Sequence, residues 1–313
     1  MDAMILLATC NGAAHLQEQL DSIVRQTLKS WRVLASDDAS NDGSCEILRR
    51  FAQHYPLTLI GNPGAEPDGT RQKRIGFAAN FLSLLSQVPD DVSVVALCDQ
   101  DDIWLPRRLE IAITHLSLAP QGVPAMYCSR RIVWTPATGK RTLSQNYKFG
   151  PSFANACVEN IAPSNTIVLN HEAAALARDL LDTAGEVYAH DWWLYLLISG
   201  VGGKIIFDPE PNILYRQHSE NTVGAGEVWA NRFANKVGVL RGVFRQRLGN
   251  NLAAMERVAT RLTPDNRRCL RRLTKARQVG IFERCSLLRA AGVYRQARLS
   301  TVSFWGAACL GKI

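Results

Sequence analysis

Three carboxylates stand within four residues at Asp99-Gln100-Asp101-Asp102. Two like charges about 4 Å apart repel by a few kcal/mol at an effective dielectric near 20, so a proton or a cation must relieve such crowding. A hard divalent cation with oxygen ligands, Mg²⁺ or Mn²⁺, is the expected partner, and such ions commonly bridge to phosphate oxygens. A solvated acidic loop or a helix start is the competing possibility, since carboxylates are favoured there too. Further on, Asp191 stands between His190 and the pair Trp192-Trp193. An acid half-buried beside indole rings gains basicity, which suits a general base, although it could equally cap the helix that follows. Asp38 offers a carboxylate that can accept the N3–H of uracil or thymine, whereas cytosine has no donor there. Its neighbours Asn41, Asp42 and Gly43 read as turn and capping residues. Arg71, Lys73 and Arg74 precede a helix start, where cations meet a diphosphate or simply face water. Arg216 and His218 would share one face of an extended segment.

These residues need elements to hold them. Val92 to Leu97 is apolar except for Ser93, as expected of a strand buried on both faces of a parallel sheet. It delivers the acidic cluster to the carboxyl end of that strand, where open α/β sheets bind their ligands. Pro106 can open the next helix, with Leu109, Ala112, Ile113 and Leu116 as its apolar stripe. Met4 to Thr9 predicts the first strand, Cys10-Asn11-Gly12 a turn, and Leu16, Leu20, Ile23 and Val24 a helix face. No G-x-G-x-x-G follows that strand, which disfavours a dinucleotide-binding Rossmann domain. Trp31 to Ser36 and Leu57 to Ile60 predict two more strands, and Gly76 to Leu85 a helix. Met126 to Trp134 is expected as one strand, turned back as a hairpin at 135–140. Tyr147 to Ala162 has no period and is expected as a loop. Thr166 to Leu169 predicts a strand, Glu172 to Leu181 a helix, and Lys204 to Phe207 a last strand. Trp192 and Trp193 either wall a pocket or pack in the core.

The chain has 313 residues, of which 47% are hydrophobic and 20% charged, enough for one large α/β domain with an extension. Eight cysteines show no C-x-x-C pair, which predicts small buried residues in a reducing compartment. A short apolar start with Asp2 gives no signal peptide, and no run is long enough to span a bilayer, so a cytoplasmic protein is expected. Charge is uneven: residues 228–313 hold 18 Lys/Arg against 3 Asp/Glu, and the remainder 18 against 25. An acidic body with a basic tail implies an anionic surface as partner. Trp229, Phe233, Val237, Leu240, Phe244 and Leu248 make a helical stripe flanked by arginines, suited to a membrane interface or to packing on the body. A second basic helical region is expected from Arg267 to Arg298. Nucleic acid is disfavoured as a partner, because the tail interleaves its basic residues with aliphatic more than stacking aromatic ones.

In order along the chain stand Ala8-Thr9-Cys10-Asn11-Gly12, Asp37-Asp38-Ala39-Ser40, Gly76-Phe77-Ala78-Ala79-Asn80-Phe81, Asp99-Gln100-Asp101-Asp102-Ile103-Trp104, His190-Asp191-Trp192-Trp193 and Tyr215-Arg216-Gln217-His218. Together they resemble glycosyltransferase family 2, inverting enzymes of the GT-A fold, and among them the bacterial rhamnosyltransferase-like members that build surface polysaccharides. The resemblance implies a GT-A domain over residues 1–226, with 227–313 as a basic, mainly helical extension outside it. It implies a nucleotide-sugar donor, UDP- or dTDP-linked, and a glycan or glycolipid acceptor, reached on the inner face of the membrane. It also implies roles: Thr9 and Asp38 hold the base, Asp99 the ribose and Asp101 the Mg²⁺ or Mn²⁺. Asp191 is the general base, with Arg216 and His218 near the diphosphate or the metal. One of Arg71, Lys73 and Arg74 meets the nucleotide, with Arg74 taken as the candidate. Pro163-Ser164-Asn165-Thr166 departs from the family, where relatives often carry a glycine, in a segment expected near the acceptor. A sugar-nucleotide nucleotidyltransferase is the alternative enzyme, though it would carry a glycine-rich basic loop after the first strand.

Overall fold

A computed structural model describes residues 2–61, 74–184, 187–217 and 243–313. The chain opens with alternating strands and helices: β1 (Ala3–Thr9), α1 (Ala13–Val24), β2 (Trp31–Asp37), α2 (Ser44–Ala52), β3 (Leu57–Ile60), α3 (Phe77–Ser86) and β4 (Val94–Asp99). Leu16, Leu20 and Ile23, spaced as one helix face, are fully buried against the sheet. Next come β5 (Ile103–Trp104), α4 (Arg108–Leu116), β6 (Ala125–Ser129), β7 (Ile132–Thr135), β8 (Lys140–Leu143), α5 (Phe153–Ala156), β9 (Val168–Asn170), α6 (His171–Asp179), α7 (Leu181–Ala184), α8 (His190–Gly200), β10 (Lys204–Asp208) and β11 (Ile213–Arg216).

Seven strands form the main sheet in the order β10-β6-β9-β4-β1-β2-β3. β3, β2, β1 and β4 run parallel, and β9 is antiparallel to both β4 and β6. β4 is buried along its length except at Asp99, as its apolar run requires. The register sets Thr9 beside Asp37 and Ala8 beside Asp99, so three strands deliver their chemistry-bearing ends to one edge. A smaller sheet, β5-β11-β7-β8, stands beyond that edge and pairs Ile103–Trp104 with Ile213–Leu214. One large sheet with helices packed on both faces, and a small second sheet, make a mixed α/β fold.

Two expectations change. The strand expected from Met126 to Trp134 is two strands in different sheets, β6 and β7. The bend falls at Arg130-Arg131, where Ser144 accepts from the Arg130 guanidinium and its hydroxyl receives the Arg131 backbone N–H. The hairpin after it does form, between β7 and β8. The segment from Tyr147 to Ala162 is not all loop. It contains α5, whose Phe153 and Ala156 are core residues capped by Ser152. The basic region expected to be helical from Arg267 to Arg298 is helical, as part of a run of short helices. α9 (Val243–Arg257), α10 (Pro264–Ala276), α11 (Ile281–Ala291) and α12 (Arg298–Cys309) follow in turn, with Gly280 opening α11 and Gly292 closing it in the left-handed region.

These last four helices share the core of the body. Leu248, Leu252, Met255, Leu270 and Leu273 belong to one apolar cluster with Phe153, Val158, Leu194 and Leu197. Asn266 fastens the junction by donating to the Ser199 and Gly200 carbonyls at the end of α8. Of the stripe from Trp229 to Leu248, the apolar members among the described residues are Phe244 and Leu248. Both face inward, Leu248 completely. The expected 226/227 boundary lies outside the described residues. Trp192 and Trp193 also belong to the core cluster, so they pack rather than wall a pocket. All eight cysteines are free; four are buried, as expected, and Cys309 is exposed.

Candidate active site

The first strand ends in a turn whose backbone donors are all engaged. Cys10 N–H donates to Gln100 Oε1 (2.8 Å), Asn11 to Ser40 (2.6 Å), Gly12 to Ser44 (2.9 Å) and Ala13 to Asp42 (2.9 Å). Asp42 and Ser44 thus do the capping expected of their turn. A Cβ on Gly12 would lie 2.3 Å from Gln100 Oε1, so only glycine lets that side chain lock the turn to the acidic strand end. Asn11 and Ala39 both take positive φ (51° and 58°), a strained backbone held at this edge by the surrounding bonds.

Thr9 is buried and donates to Asp37 Oδ2 (2.8 Å), which also accepts from Ser40. Asp38 is buried too. Its two oxygens accept from the backbone N–H groups of Ile75 and Gly76, each at 2.9 Å, which brings the start of α3 to it. Arg74, next in the chain, is exposed and lies near enough to Cys10 to act on its thiol. Arg71, Lys73 and His218 lie outside the described residues.

The acidic cluster divides by environment. Asp102 is completely buried, accepting from Asn165 Nδ2 (2.5 Å) and the Arg216 backbone N–H (3.3 Å). Burial, then Asp101, push it up to about 7. Burial, then Asp102, Asp101 and Asp191, push Asp99 well above the carboxylate range. Asp101 is partly exposed, and its carbonyl accepts from Arg216 Nε (3.0 Å). The Arg216 guanidinium is buried, paired with Glu18 and stacked 4.7 Å over the Trp134 ring.

Asp191 enters from α8. Ser164 N–H donates to its Oδ2 (3.2 Å), and Trp192 N–H and the Asn160 side chain bind it as well. Burial nevertheless outweighs these bonds and pushes Asp191 up to about 6; the N-cap of α8 is Ala189, so Asp191 stands in the first turn and is not the N-cap that the sequence offered. His190 beside it is neutral, pushed down to about 3 by burial, stacked on Phe81 and joined to the Ser164 hydroxyl at 2.7 Å. Arg131, stacked over Tyr215, is the cation that acts on Asp99, Asp102 and Asp191 alike. Sequence reasoning missed Arg131, Gln100, Asn160 and Glu18. It did flag 163–166 as a departure, and there Ser164 and Asn165 steady Asp191 and Asp102 separately.

Among the described residues no group of three or more His, Cys, Asp or Glu side chains is placed to hold a metal ion. The chemistry of the carboxylates nonetheless suits one. Their oxygens are hard donors, and after burial it is neighbouring carboxylates that raise Asp99 (Asp102 and Asp101) and Asp102 (Asp101), a crowding that a divalent cation relieves.

The model of glycosyl transferase family 2 matches residues 4–181, more than half of the chain. The chain belongs to that family. Among relatives, it is 29% identical over 224 residues to the dTDP-rhamnosyl transferase RfbG of Shigella flexneri, covering 70% of this chain and 74% of that one. It is 22% identical over 197 residues to the Escherichia coli UDP-Glc:alpha-D-GlcNAc-diphosphoundecaprenol beta-1,3-glucosyltransferase WfgD, over 62% of this chain and 68% of the other. Among solved structures, TarS 1-349 of S. aureus in complex with UDP-GlcNAc aligns with a TM-score of 0.55 at 14% identity, over 94% and 93% of the two chains. That likeness gives the GT-A fold, and the family makes the chain a glycosyltransferase, as its motifs imply.

Proposed function

We propose that this glycosyltransferase moves a sugar, rhamnose first among the candidates, from a dTDP- or UDP-sugar to a hydroxyl of a growing, lipid-linked surface glycan, with inversion. The observation that carries the proposal is Asp191, an acid of raised basicity held at the start of α8 and acting on the strand-end Asp99. The relatives support the donor class: RfbG is named for dTDP-rhamnose, and the TarS structure holds UDP-GlcNAc. The name of WfgD gives a diphosphoundecaprenol acceptor, which supports a lipid-linked one here and work at the inner face of the membrane.

In this mechanism an Asp191 oxygen takes the proton of the acceptor hydroxyl as that oxygen bonds to the anomeric carbon. The bond from that carbon to the diphosphate oxygen breaks, and one displacement inverts the centre. The Ser164 and Trp192 N–H groups keep the carboxylate aimed, and Arg131 favours its ionised form. Asp38 keeps a lone pair on each oxygen for the N3–H of the base while holding Ile75 and Gly76. Thr9, bonded to Asp37, holds the base with Asp38, Asp99 takes the ribose, and Arg74 and Arg216 bring positive charge to the diphosphate. Asp101, with His218, would hold Mg²⁺ or Mn²⁺, which when bound neutralises charge on the departing diphosphate.

A nucleotidyltransferase is disfavoured because the N–H groups of residues 10 to 13 are bound by side chains rather than open to a phosphate. A panel of nucleotide-sugars with Mn²⁺, scored for nucleoside diphosphate release, tests the proposal. dTDP- and UDP-sugars should react. Pyrophosphate release from a nucleoside triphosphate and a sugar phosphate would favour the alternative.

A further inference from the structure

The outer face of α12 is apolar where a surface helix should be polar. Phe304, Ala307 and Ala308 point into the core, as expected, but Leu299, Val302 and Leu310 on the opposite side are 83%, 69% and 68% exposed. With Gly306 and Cys309, also exposed, they recur three to four residues apart along one stripe. At the start of α11, Phe282 is 89% exposed and Ile281 stands open beside it. Arg284 ties the two helices by donating to the Ala308 carbonyl (2.9 Å), so Phe282 and Leu310 lie at the same end of the pair.

Charge says what meets this face. After Glu283 the chain has five Lys/Arg and no Asp or Glu. Arg298 opens α12 and is exposed, Lys312 follows its end, and exposed Arg245 reaches the Gly311 carbonyl there. Glu283, the acid nearest in sequence to Phe282, is neutralised by Lys275 at 2.7 Å. A helix of 12 residues is too short to cross a bilayer, and among the described residues no helix is long and apolar enough to do so.

We infer that the outer face of α12, with Phe282 of α11, is a docking surface for an anionic lipid bilayer, the apolar side chains entering the headgroup boundary and the arginines meeting lipid phosphates. It is a different face from the Trp229–Leu248 stripe, of which only Phe244 and Leu248 lie among the described residues, both packed inward. This deepens the lipid-linked reading of the acceptor and rests on it for its purpose, not for its geometry. The alternatives for such a face are a second copy of the chain or a protein partner.

The test uses the full chain in sedimentation with phosphatidylglycerol-containing vesicles and with phosphatidylcholine vesicles at low salt. Wild type should sediment with the anionic vesicles and dissociate as salt is raised. Leu299→Gln combined with Val302→Gln should weaken retention about tenfold or more, and Arg298→Glu should weaken it on anionic vesicles alone. All variants should bind UDP or dTDP like wild type, because these side chains face solvent. The proposal is overturned if wild type ignores anionic vesicles, if the double variant sediments as wild type does, or if it instead dissolves a dimer seen in sedimentation velocity. Nucleotide binding is read separately, so a chain that docks but binds neither UDP nor dTDP would overturn the proposed donor and leave this proposal standing.

Discussion

At the scale of single residues, environment separates the roles of otherwise similar carboxylates. Asp191 has an ordinary carboxylate's tendency to ionise reversed in part by burial, and a base must be ionised to act. Its raised value predicts that kcat/KM falls below about pH 6, tenfold per unit, rather than near the free-carboxylate value. The sign for stability is opposite. An acid raised on folding contributes stability below its unfolded value and loses it as pH passes its folded value, so ionised Asp191 costs the fold something at neutral pH. A pH–rate profile with its acid limb near 4 would remove Asp191 as the group that sets it. Asp38 gives the second residue-scale expectation. Asp38→Ala should lose about 1–3 kcal/mol for uracil and thymine nucleotides, but little for pyrophosphate, by calorimetric titration. Equal loss for both ligands would mean that freeing the Ile75 and Gly76 N–H groups had disordered the phosphate side instead.

At the scale of elements, the site depends on strand register plus side chains that lock the strand ends together. Gln100 is the clearest lock, bonding both the N–H and the carbonyl of Cys10. Gly12→Ala places a methyl group where that amide sits, so nucleotide affinity should fall about tenfold with a loss of about 1 kcal/mol in stability. Calorimetry and denaturant unfolding measure both, and unchanged affinity would show the lock to be dispensable. Much of this level was legible beforehand. The apolar run before Asp99 predicted a buried strand ending in acid, and the Asn, Asp, Ser and Gly of 41–44 predicted caps. The break at Arg130-Arg131 was not legible, because β6 and β7 have the same local propensity and only pairing with different sheets parts them. Arg131 escaped notice for a related reason: an arginine in a strand carries no sign of the carboxylates that the fold gathers around it. Ser164 and Asn165 left a trace, as an unusual segment, but their separate partners are a product of tertiary packing.

At the scale of the whole molecule, the acidic body and basic tail are one folded unit as far as the described helices show. The sequence left the tail's apolar faces open to a membrane interface or to packing on the body, and Leu252, Leu270 and Leu273 bury themselves with residues of α5 and α8. Charge counts alone cannot choose between the two, since a basic flank suits an anionic membrane and a solvated surface alike. Leu270→Ala should therefore destabilise the entire chain by about 2–5 kcal/mol in a single transition, measured by denaturant unfolding. A second, separate transition for the tail would contradict a shared core.

The proposed transfer by Asp191 joins all three scales, and one comparison tests it: nucleoside diphosphate release and nucleotide affinity in wild type and Asp191→Asn. With an accepted donor and acceptor, the variant should lose about a thousandfold in kcat while binding UDP or dTDP with unchanged affinity. Turnover near the wild-type rate in a folded Asp191→Asn protein would contradict the mechanism.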